Sequence, residues 1–231
     1  MSLADETYDS FQHRPGSDFI ATRYALEGLV RTLRRRAPTS VLEVGPGIGT
    51  TTRVVISTLD AVHGPGAYTL YGIEHVPFCL EQMARNLGPD RTRTVVVDRY
   101  EQISGDHPPF EFVLIDGGGE GEDDGDLPPE HVASQNRRYV SELSHRAVVF
   151  VENKRPAQRA IVERELTVPY AYAHIRPWDD GAGYHLYQLH PTATERLRAA
   201  GRGVLDRVWF DTGLARRSGR TWRRLRRRLR G

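Results

Sequence analysis

An apolar segment that runs directly into a cluster of glycines constrains the fold of this chain more than any other feature. Residues 41 to 44 are Val-Leu-Glu-Val, and they are followed by Gly45, Gly47 and Gly49. Glycine lets the backbone turn sharply and approach a ligand closely, and free N–H groups at the start of a helix favour an anionic group. The pattern therefore predicts a buried strand, a turn that binds a nucleotide-like ligand, and a helix.

The spacing of these glycines bears on which ligand the turn accepts. The dinucleotide fingerprint G-x-G-x-x-G/A requires glycine or alanine at the position where this chain has Thr50. A nicotinamide dinucleotide (NAD) is therefore disfavoured, and an NAD-dependent oxidoreductase is kept only as the last alternative.

Strand-like and helix-like segments alternate along the chain after an amphipathic helix predicted over residues 18 to 36. This alternation is typical of a parallel sheet with helices on both faces. Strands are predicted near residues 40–44, 69–74, 93–97, 111–115 and 147–151. Helices are predicted near residues 50–61, 77–87, 130–144 and 156–165. Residues 171–176 and 184–190 predict a closing hairpin, so the fold class is α/β, doubly wound and mostly parallel, with a C-terminal antiparallel hairpin.

Two acidic residues stand directly after predicted strands, where doubly wound sheets bind their ligands. Glu74 closes Tyr-Gly-Ile-Glu, and a carboxylate there can accept both hydroxyls of a ribose. Asp98 closes Thr-Val-Val-Val-Asp and can accept from an adenine amino group. Either acid alone could be a helix cap. Together with the glycine turn, they predict a nucleotide-like binding site.

These motifs together resemble the class I methyltransferases that depend on S-adenosylmethionine (SAM). The resemblance covers roughly residues 18 to 190 and rests on the glycine turn, Glu74, Asp98, the fourth-strand Val-Leu-Ile-Asp116-Gly and the hairpin. It implies a seven-stranded sheet in the order 3-2-1-4-5-7-6, with the seventh strand antiparallel. It also implies a SAM-binding domain over residues 18–191, an N-terminal segment over 1–17 and a C-terminal extension over 192–231.

The same resemblance implies how the cofactor is held. The three glycines of the turn would flank the methionine and ribose parts of SAM, while Glu74 would bind the ribose hydroxyls and Asp98 the adenine. Glu43, within the first strand, would orient the amino group of the cofactor indirectly.

Methyl transfer from a sulfonium is a direct displacement, so a protein mainly aligns the reacting atoms, and a hydroxyl acceptor also needs help to lose its proton. Asp116 is the first candidate for this role because it ends the fourth strand; the alternative is that it only caps the next segment. His131 is the second candidate base, and its alternative is a surface histidine near a helix start. Glu152, Asn153 and Lys154 complete the candidates.

A divalent metal is the alternative route to activating a hydroxyl acceptor. Asp116, Glu152 and Asn153 resemble the oxygen ligands of metal-dependent catechol-type O-methyltransferases. Two departures count against this interpretation: glutamate replaces the family's aspartate, and three glycines follow Asp116. A metal-independent enzyme is therefore preferred.

The N-terminus is polar and acidic, and the apolar runs are strand-sized, which predicts a cytoplasmic protein with no membrane span. Cys79, the single cysteine, is predicted to pack in the core.

The segment Arg216–Arg230 holds nine arginines and no acid, which leaves 23 basic and 30 acidic side chains elsewhere. This tail suits peripheral contact with an anionic membrane; a disordered or self-docked tail is the alternative, and nucleic acid is disfavoured.

The favoured function is SAM-dependent O-methylation of a small-molecule, glycan or lipid-linked acceptor. The first alternative is a methyltransferase fold that serves as a non-catalytic binding or scaffold protein. An aminopropyltransferase is a weaker alternative, since such enzymes usually carry an aspartate inside the glycine turn, where this chain has Ile48 and Thr50.

Overall fold

The computed structural model describes residues 1–103, 105–117, 138–152, 156–177 and 183–206. His131, Asn153, Lys154 and the arginine-rich tail therefore lie outside the described residues. The helices are α1 (Leu3–Phe11), α2 (Arg23–Arg36), α3 (Thr50–His63), α4 (Pro77–Leu87), α5 (Pro156–Glu165) and α6 (Ala193–Asp206). The strands are β1 (Ser40–Val44), β2 (Thr69–Ile73), β3 (Val95–Val97), β4 (Phe110–Ile115), β5 (Leu143–Glu152), β6 (Tyr170–Ile175) and β7 (Tyr184–Leu189).

All of these strands form one sheet in the order β3-β2-β1-β4-β5-β7-β6. The first five strands pair in parallel, while β7 is antiparallel to both β5 and β6. The predicted fold class, the strand order and the closing hairpin are confirmed. β1 lies at the centre, with Val41 opposite both Leu70 of β2 and Phe112 of β4, and every residue of this strand is buried.

Side chains from alternate positions of the strands build two apolar cores, one on each face of the sheet. On one face, Val41 and Phe150 pack with Leu29 of α2 and the apolar residues of α1 and α3. On the other face, Leu42 and Val149 pack with the apolar side chains of α5 and of residues 100 to 103. The central strands are therefore covered on both faces, as their nearly continuous apolar sequence requires.

Two predicted elements are shorter in the structure because polar residues at their starts make other contacts. The helix predicted from residue 18 begins at Arg23, because the Thr22 hydroxyl accepts a hydrogen bond from Ala25 N–H at 3.2 Å and caps it there. The strand predicted from residue 93 begins at Val95, because residues 88 to 93 form a 3₁₀ helix whose Arg93 is paired with Asp60.

The predicted end of the helix over residues 130–144 is wrong. Residues 138 to 141 are helical, but β5 begins at Leu143, which pairs with Phe110 of β4. The register of this pair shifts between Phe110 and Phe112, so an irregularity accommodates the early start of β5. The first part of the predicted helix lies outside the described residues.

The N-terminal segment packs on the body of the protein. Helix α1 lies against α2 and α3, and Ala4 belongs to the same buried cluster as Leu29. Arg23 at the start of α2 holds it through ion pairs with Asp5 at 2.9 Å and Asp9 at 2.7 Å. The domain boundary at residue 18 stays a prediction.

Cys79 is buried in α4, with 4% of its surface exposed, as predicted from the apolar face of that helix. Among the described helices, none combines the length and the apolar character that crossing a membrane requires. The contact between the arginine-rich tail and a membrane stays a prediction.

A stacked pair of histidines lies in the closing hairpin. The rings of His174 and His185 are 4.1 Å apart and nearly parallel, at 17°. Tyr172 Oη lies 2.8 Å from His185 Nδ1, and Arg176 Nε donates to His174 Nδ1 at 3.0 Å. Burial, with nearby arginines, lowers the pKa of His174 to about 4 and of His185 to about 3. The folded protein therefore keeps both rings neutral.

We expect His174 and His185 to make a contribution that lowers the melting temperature as the pH is lowered from 7 to 5, measured against a variant that lacks both histidines. In the unfolded chain these histidines bind protons near the ordinary pKa of about 6.5, whereas the folded state resists protonation, so stability is full above that value and declines below it. The measurement is thermal unfolding across this pH range for the wild type and for the double variant His174→Gln/His185→Gln. The variant should show a shallower decline, and equal slopes would contradict this origin of the pH dependence.

Candidate active site at the carboxyl edge of the sheet

The predicted site residues that the structure describes converge on one edge of the sheet. The glycine turn follows β1, Glu74 follows β2, Asp98 follows β3 and Asp116 follows β4. Glu152 ends β5 at the same edge. This convergence arises because parallel strands all end on the same side of the sheet.

The glycine turn between β1 and α3 adopts backbone angles that favour glycine. Gly45, Gly47 and Gly49 have φ values of 74°, 55° and 92°, all in the left-handed region. Gly49 N–H donates to Pro46 C=O at 2.9 Å, which closes the turn, and Gly49 then precedes α3 without a side-chain cap. The backbone N–H groups at the start of α3 are therefore not occupied by a capping side chain.

The turn is also in close backbone contact with the end of β4. The N–H groups of Asp116 and Gly117 both donate to Val44 C=O at 3.0 Å. A Cβ built on Gly45 would lie 2.2 Å from Gly117 Cα, and one built on Gly117 would lie 2.5 Å from Gly45 Cα. Neither position has room for a side chain, so the ends of β1 and β4 meet through two glycines.

Glu74 joins the glycine turn to the end of β2. Its Oε2 accepts a hydrogen bond from Gly47 N–H and its Oε1 accepts one from Val76 N–H, both at 2.9 Å. Burial raises the pKa of this carboxyl group, while the two backbone hydrogen bonds oppose the rise. A carboxylate has about four acceptor sites, so Glu74 can still accept a hydroxyl of a ligand.

Glu43 lies inside β1 and is completely buried. Its Oε2 accepts a hydrogen bond from the Thr52 hydroxyl at 2.7 Å, and the neighbouring Thr51 hydroxyl also stabilises the carboxylate. Burial raises the pKa of Glu43 to about 7, the two threonine hydroxyls oppose the rise, and the nearby Glu74 adds to it. A nearby cation would stabilise the charged form of this buried carboxyl group.

The other acids at this edge differ in exposure. Asp98 is exposed, and its backbone N–H donates to Gln102 Oε1 at 2.8 Å. Asp116 and Glu152 are buried, with 6% and 2% of their surfaces exposed. Since Ile115 pairs with Val151, these two carboxyl groups end neighbouring strands in register.

Within the described ranges, no group of three or more histidine, cysteine, aspartate or glutamate side chains is placed to hold a metal ion. The third predicted metal ligand, Asn153, and the second predicted base, His131, lie outside those ranges.

A contact that sequence reasoning missed is between the N-terminal segment and the glycine turn. Arg14 donates to Asn86 Oδ1, and Asn86 Nδ2 donates to Ile48 C=O at 2.9 Å. A Cβ on Gly16 would lie 2.6 Å from Ile48 Cγ2 and 2.9 Å from Phe78 Cε1. The Pro-Gly dipeptide at residues 15 and 16 signals a turn. Nothing in it indicates that this turn packs on the glycine turn.

No protein-family model and no curated protein matches the sequence. The fold, in contrast, is similar to many solved structures. The O-methyltransferase TomG from Streptomyces achromogenes, involved in tomaymycin synthesis and solved in complex with SAM, is 18% identical, with 81% of this chain and 88% of that chain covered and a TM-score of 0.56.

Two further structures give similar values. The O-methyltransferase from Bacillus cereus, in complex with SAH, is 14% identical, with 80% of this chain and 90% of that one covered and a TM-score of 0.59. The SAH-bound methyltransferase PaMTH1 from Podospora anserina is 11% identical, with 83% and 89% covered and a TM-score of 0.58. At these identities it is the fold that is shared, and this chain has the fold of the class I methyltransferases.

Proposed function

We propose that this protein is a SAM-dependent methyltransferase that methylates an oxygen atom of a small-molecule acceptor. The observation that carries the proposal is the hydrogen bond from Gly47 N–H to Glu74, which brings a left-handed glycine turn and a buried carboxylate together at the ends of β1 and β2. The turn provides close backbone approach, and the carboxylate provides the acceptors for a ribose.

The chain's own residues fit the charge of this cofactor. SAM carries an ammonium group and a sulfonium, and Glu43 provides a buried carboxylate in the strand that leads into the glycine turn. We infer that Glu43 stabilises the cationic part of the cofactor electrostatically, and that Asp98 faces the adenine from the end of β3. NAD is disfavoured because Thr50 stands where the dinucleotide fingerprint requires glycine or alanine.

The oxygen as acceptor atom is supported by the neighbours in fold, since TomG and the Bacillus cereus protein are both described as O-methyltransferases. Glycan and lipid-linked hydroxyls belong to the same chemical class and are the alternatives to a free small molecule. The acceptor would bind beside the end of β4, where the predicted catalytic residue lies.

When bound, SAM supplies a methyl group that is transferred by direct displacement from its sulfur. The protein must then align the acceptor and remove its proton. Asp116 is the proposed base, because it is a buried carboxyl group that ends β4 next to the glycine turn. Glu152 ends the neighbouring strand and would assist it or, with Asp116 and Asn153, hold a divalent metal through oxygen ligands. His131 remains the second proposed base.

The experiment that tests this function is a calorimetric titration of the full chain with SAM, SAH (its demethylated product) and NAD in parallel. We expect SAM and SAH to bind and NAD not to bind. Binding of NAD alone would replace the proposal with an oxidoreductase, and failure of all three to bind would favour a scaffold protein without a cofactor.

The binding of SAM is also expected to release protons from the protein. Because the pKa of Glu43 is about 7 before binding, a cation that stabilises its charged form lowers this pKa and releases protons near neutral pH. SAM affinity should therefore rise as the pH increases through 7. Titrations in two buffers with different enthalpies of ionisation measure the release, and Glu43→Gln should reduce it, since Glu74, whose pKa is also raised, can contribute the rest. Proton release of the same size in this variant as in the wild type would contradict the role given to Glu43.

A further inference from the structure

Helix α6 lies beside the closing hairpin and contacts β6. Between this helix, the sheet and the end of α2 is a cavity of about 690 Å³ that is open to solvent on one side. The inner wall of this cavity is apolar and is formed by Val148, Leu186 and Ile175, which adjoin the main core, and by the small side chains of β6. This volume lies within the range of about 300 to 1,000 Å³ that is typical of pockets for small ligands.

The rim of the cavity is cationic. Arg35 and Arg36 line it from the end of α2, and Arg198 and Arg202 line it from α6. The single acidic residue of the lining, Glu195, is already paired with Arg36 at 3.4 Å and with Arg146 at 2.9 Å. The lining therefore carries an excess of positive charge above an apolar wall.

The positive charge of Arg36, at the rim, is only partly neutralised by its neighbours. Its guanidinium donates to Gln188 Oε1 and contacts Glu195, but its Nε is buried and has no acceptor among the described residues. Burial, together with the neighbouring Arg35 and Arg146, lowers the pKa of Arg36. A partly buried guanidinium with an incomplete set of hydrogen bonds is stabilised by a nearby anion.

The cavity is separate from the proposed methyl-transfer site. Its lining comes from β5, β7 and β6 at one side of the sheet and from α2 and α6, whereas the glycine turn follows β1 at the centre of the sheet. The arginine-rich tail, Arg216–Arg230, has the wrong sign of charge to neutralise the rim.

We propose that this cavity binds a single-chain lipid anion, with its aliphatic chain on the apolar wall and its phosphate or carboxylate head group among the arginines of the rim. A chain alone would leave the excess positive charge of the rim without a counter-ion, and an anion alone would leave the apolar wall uncovered. The proposal does not depend on methyl transfer, because none of the residues that line the cavity belongs to the proposed methyl-transfer site.

The first test is calorimetric titration of the full chain with decyl phosphate and with decanoate, each below its critical micelle concentration. Inorganic phosphate and 1-decanol serve as ligands that carry only the head group or only the chain. We expect at least one of the two amphiphilic anions to bind about tenfold or more tightly than either partial ligand, and the stronger of the two identifies the head group. Binding of neither anion, or equal binding of a partial ligand, would overturn the proposal.

The second test locates the ligand with a matched pair of variants on α6. Gly201 lines this cavity and Gly203 lines a neighbouring one, and a Cβ at either position meets nothing within 4 Å. Leucine at either position also favours the helix, so both variants should fold. Gly201→Leu should fill the cavity and weaken binding about tenfold or more, while Gly203→Leu should change it less than about twofold.

Charge is tested separately with Arg198→Gln/Arg202→Gln against the control Arg196→Gln, which changes an arginine of the neighbouring cavity. The double variant should lose affinity for the anions, and the control should retain it. Unchanged binding in both Gly201→Leu and the double arginine variant would overturn the proposed site. A loss caused by Gly203→Leu alone would place the ligand in the neighbouring cavity and would overturn it as well.

Discussion

Replacing Glu74 with alanine is expected to weaken SAM binding about a hundredfold while the protein remains folded. The variant loses the proposed acceptors of the ribose hydroxyls, and it also leaves Gly47 N–H and Val76 N–H without the carboxylate that orders the glycine turn. Both losses act on the binding site, because Glu74 lies at the edge of the sheet and outside the two apolar cores.

Calorimetric titration with SAM measures the effect, and circular dichroism checks the fold. Glu81→Ala is the matched control, since Glu81 lies on the neighbouring helix α4 in an exposed ion pair with Arg85 and should leave affinity unchanged. If Glu74→Ala bound SAM as tightly as the wild type, the role of this residue with the ribose would be refuted.

Replacing Gly45 with alanine is expected to destabilise the protein by about 3 kcal/mol or more and to abolish SAM binding. Two independent costs add at this position. The φ of 74° is unfavourable for any residue with a Cβ, and that Cβ would lie 2.2 Å from Gly117 Cα. A backbone atom cannot move away as the end of a side chain can, so the ends of β1 and β4 must separate.

Two further variants separate the cost of the left-handed backbone from the cost of the clash with Gly117. Urea unfolding measures the loss of stability in each variant. Gly66→Ala has a similar φ of 80° but open space around its Cβ, so it should lose only about 1 kcal/mol, the strain of a left-handed alanine. Gly117→Ala creates the same clash from the opposite side, 2.5 Å from Gly45 Cα. It should therefore resemble Gly45→Ala more than Gly66→Ala. Equal stability losses in Gly45→Ala and Gly66→Ala would show that the contact with Gly117 is unimportant.

The order and type of most elements could be predicted from local patterns in the sequence. The apolar run of β1, the alternation of strands and helices and the closing hairpin depend on periodicity and turn residues, which act over short distances along the chain. The errors occur where a contact from elsewhere ends or replaces an element. Arg93 is predicted to begin β3, but it forms an ion pair with Asp60 and β3 begins later. Leu143 is predicted to lie in a helix, but it pairs with Phe110 and begins β5.

The candidate site divides in the same way. That Gly45, Glu74 and Asp116 lie at one edge follows from the chain alone, once the strands are taken as parallel, because each of these residues ends a strand. That Glu74 binds Gly47 N–H, that Gly117 leaves no room beside Gly45 and that Gly16 lies on the glycine turn could not be predicted. These contacts join residues far apart in sequence, and no local pattern encodes them.

The sequence by itself determined the fold class, the strand order through family resemblance, and the identity of the acids and glycines at the edge of the sheet. Only the tertiary structure decided which of their hydrogen bonds are made, how burial raises the pKa of Glu43, and that Arg36 Nε has no acceptor among the described residues. The physical reason is that periodicity and turn chemistry are local, whereas burial, packing distance and electrostatic environment depend on every element that folds against a residue.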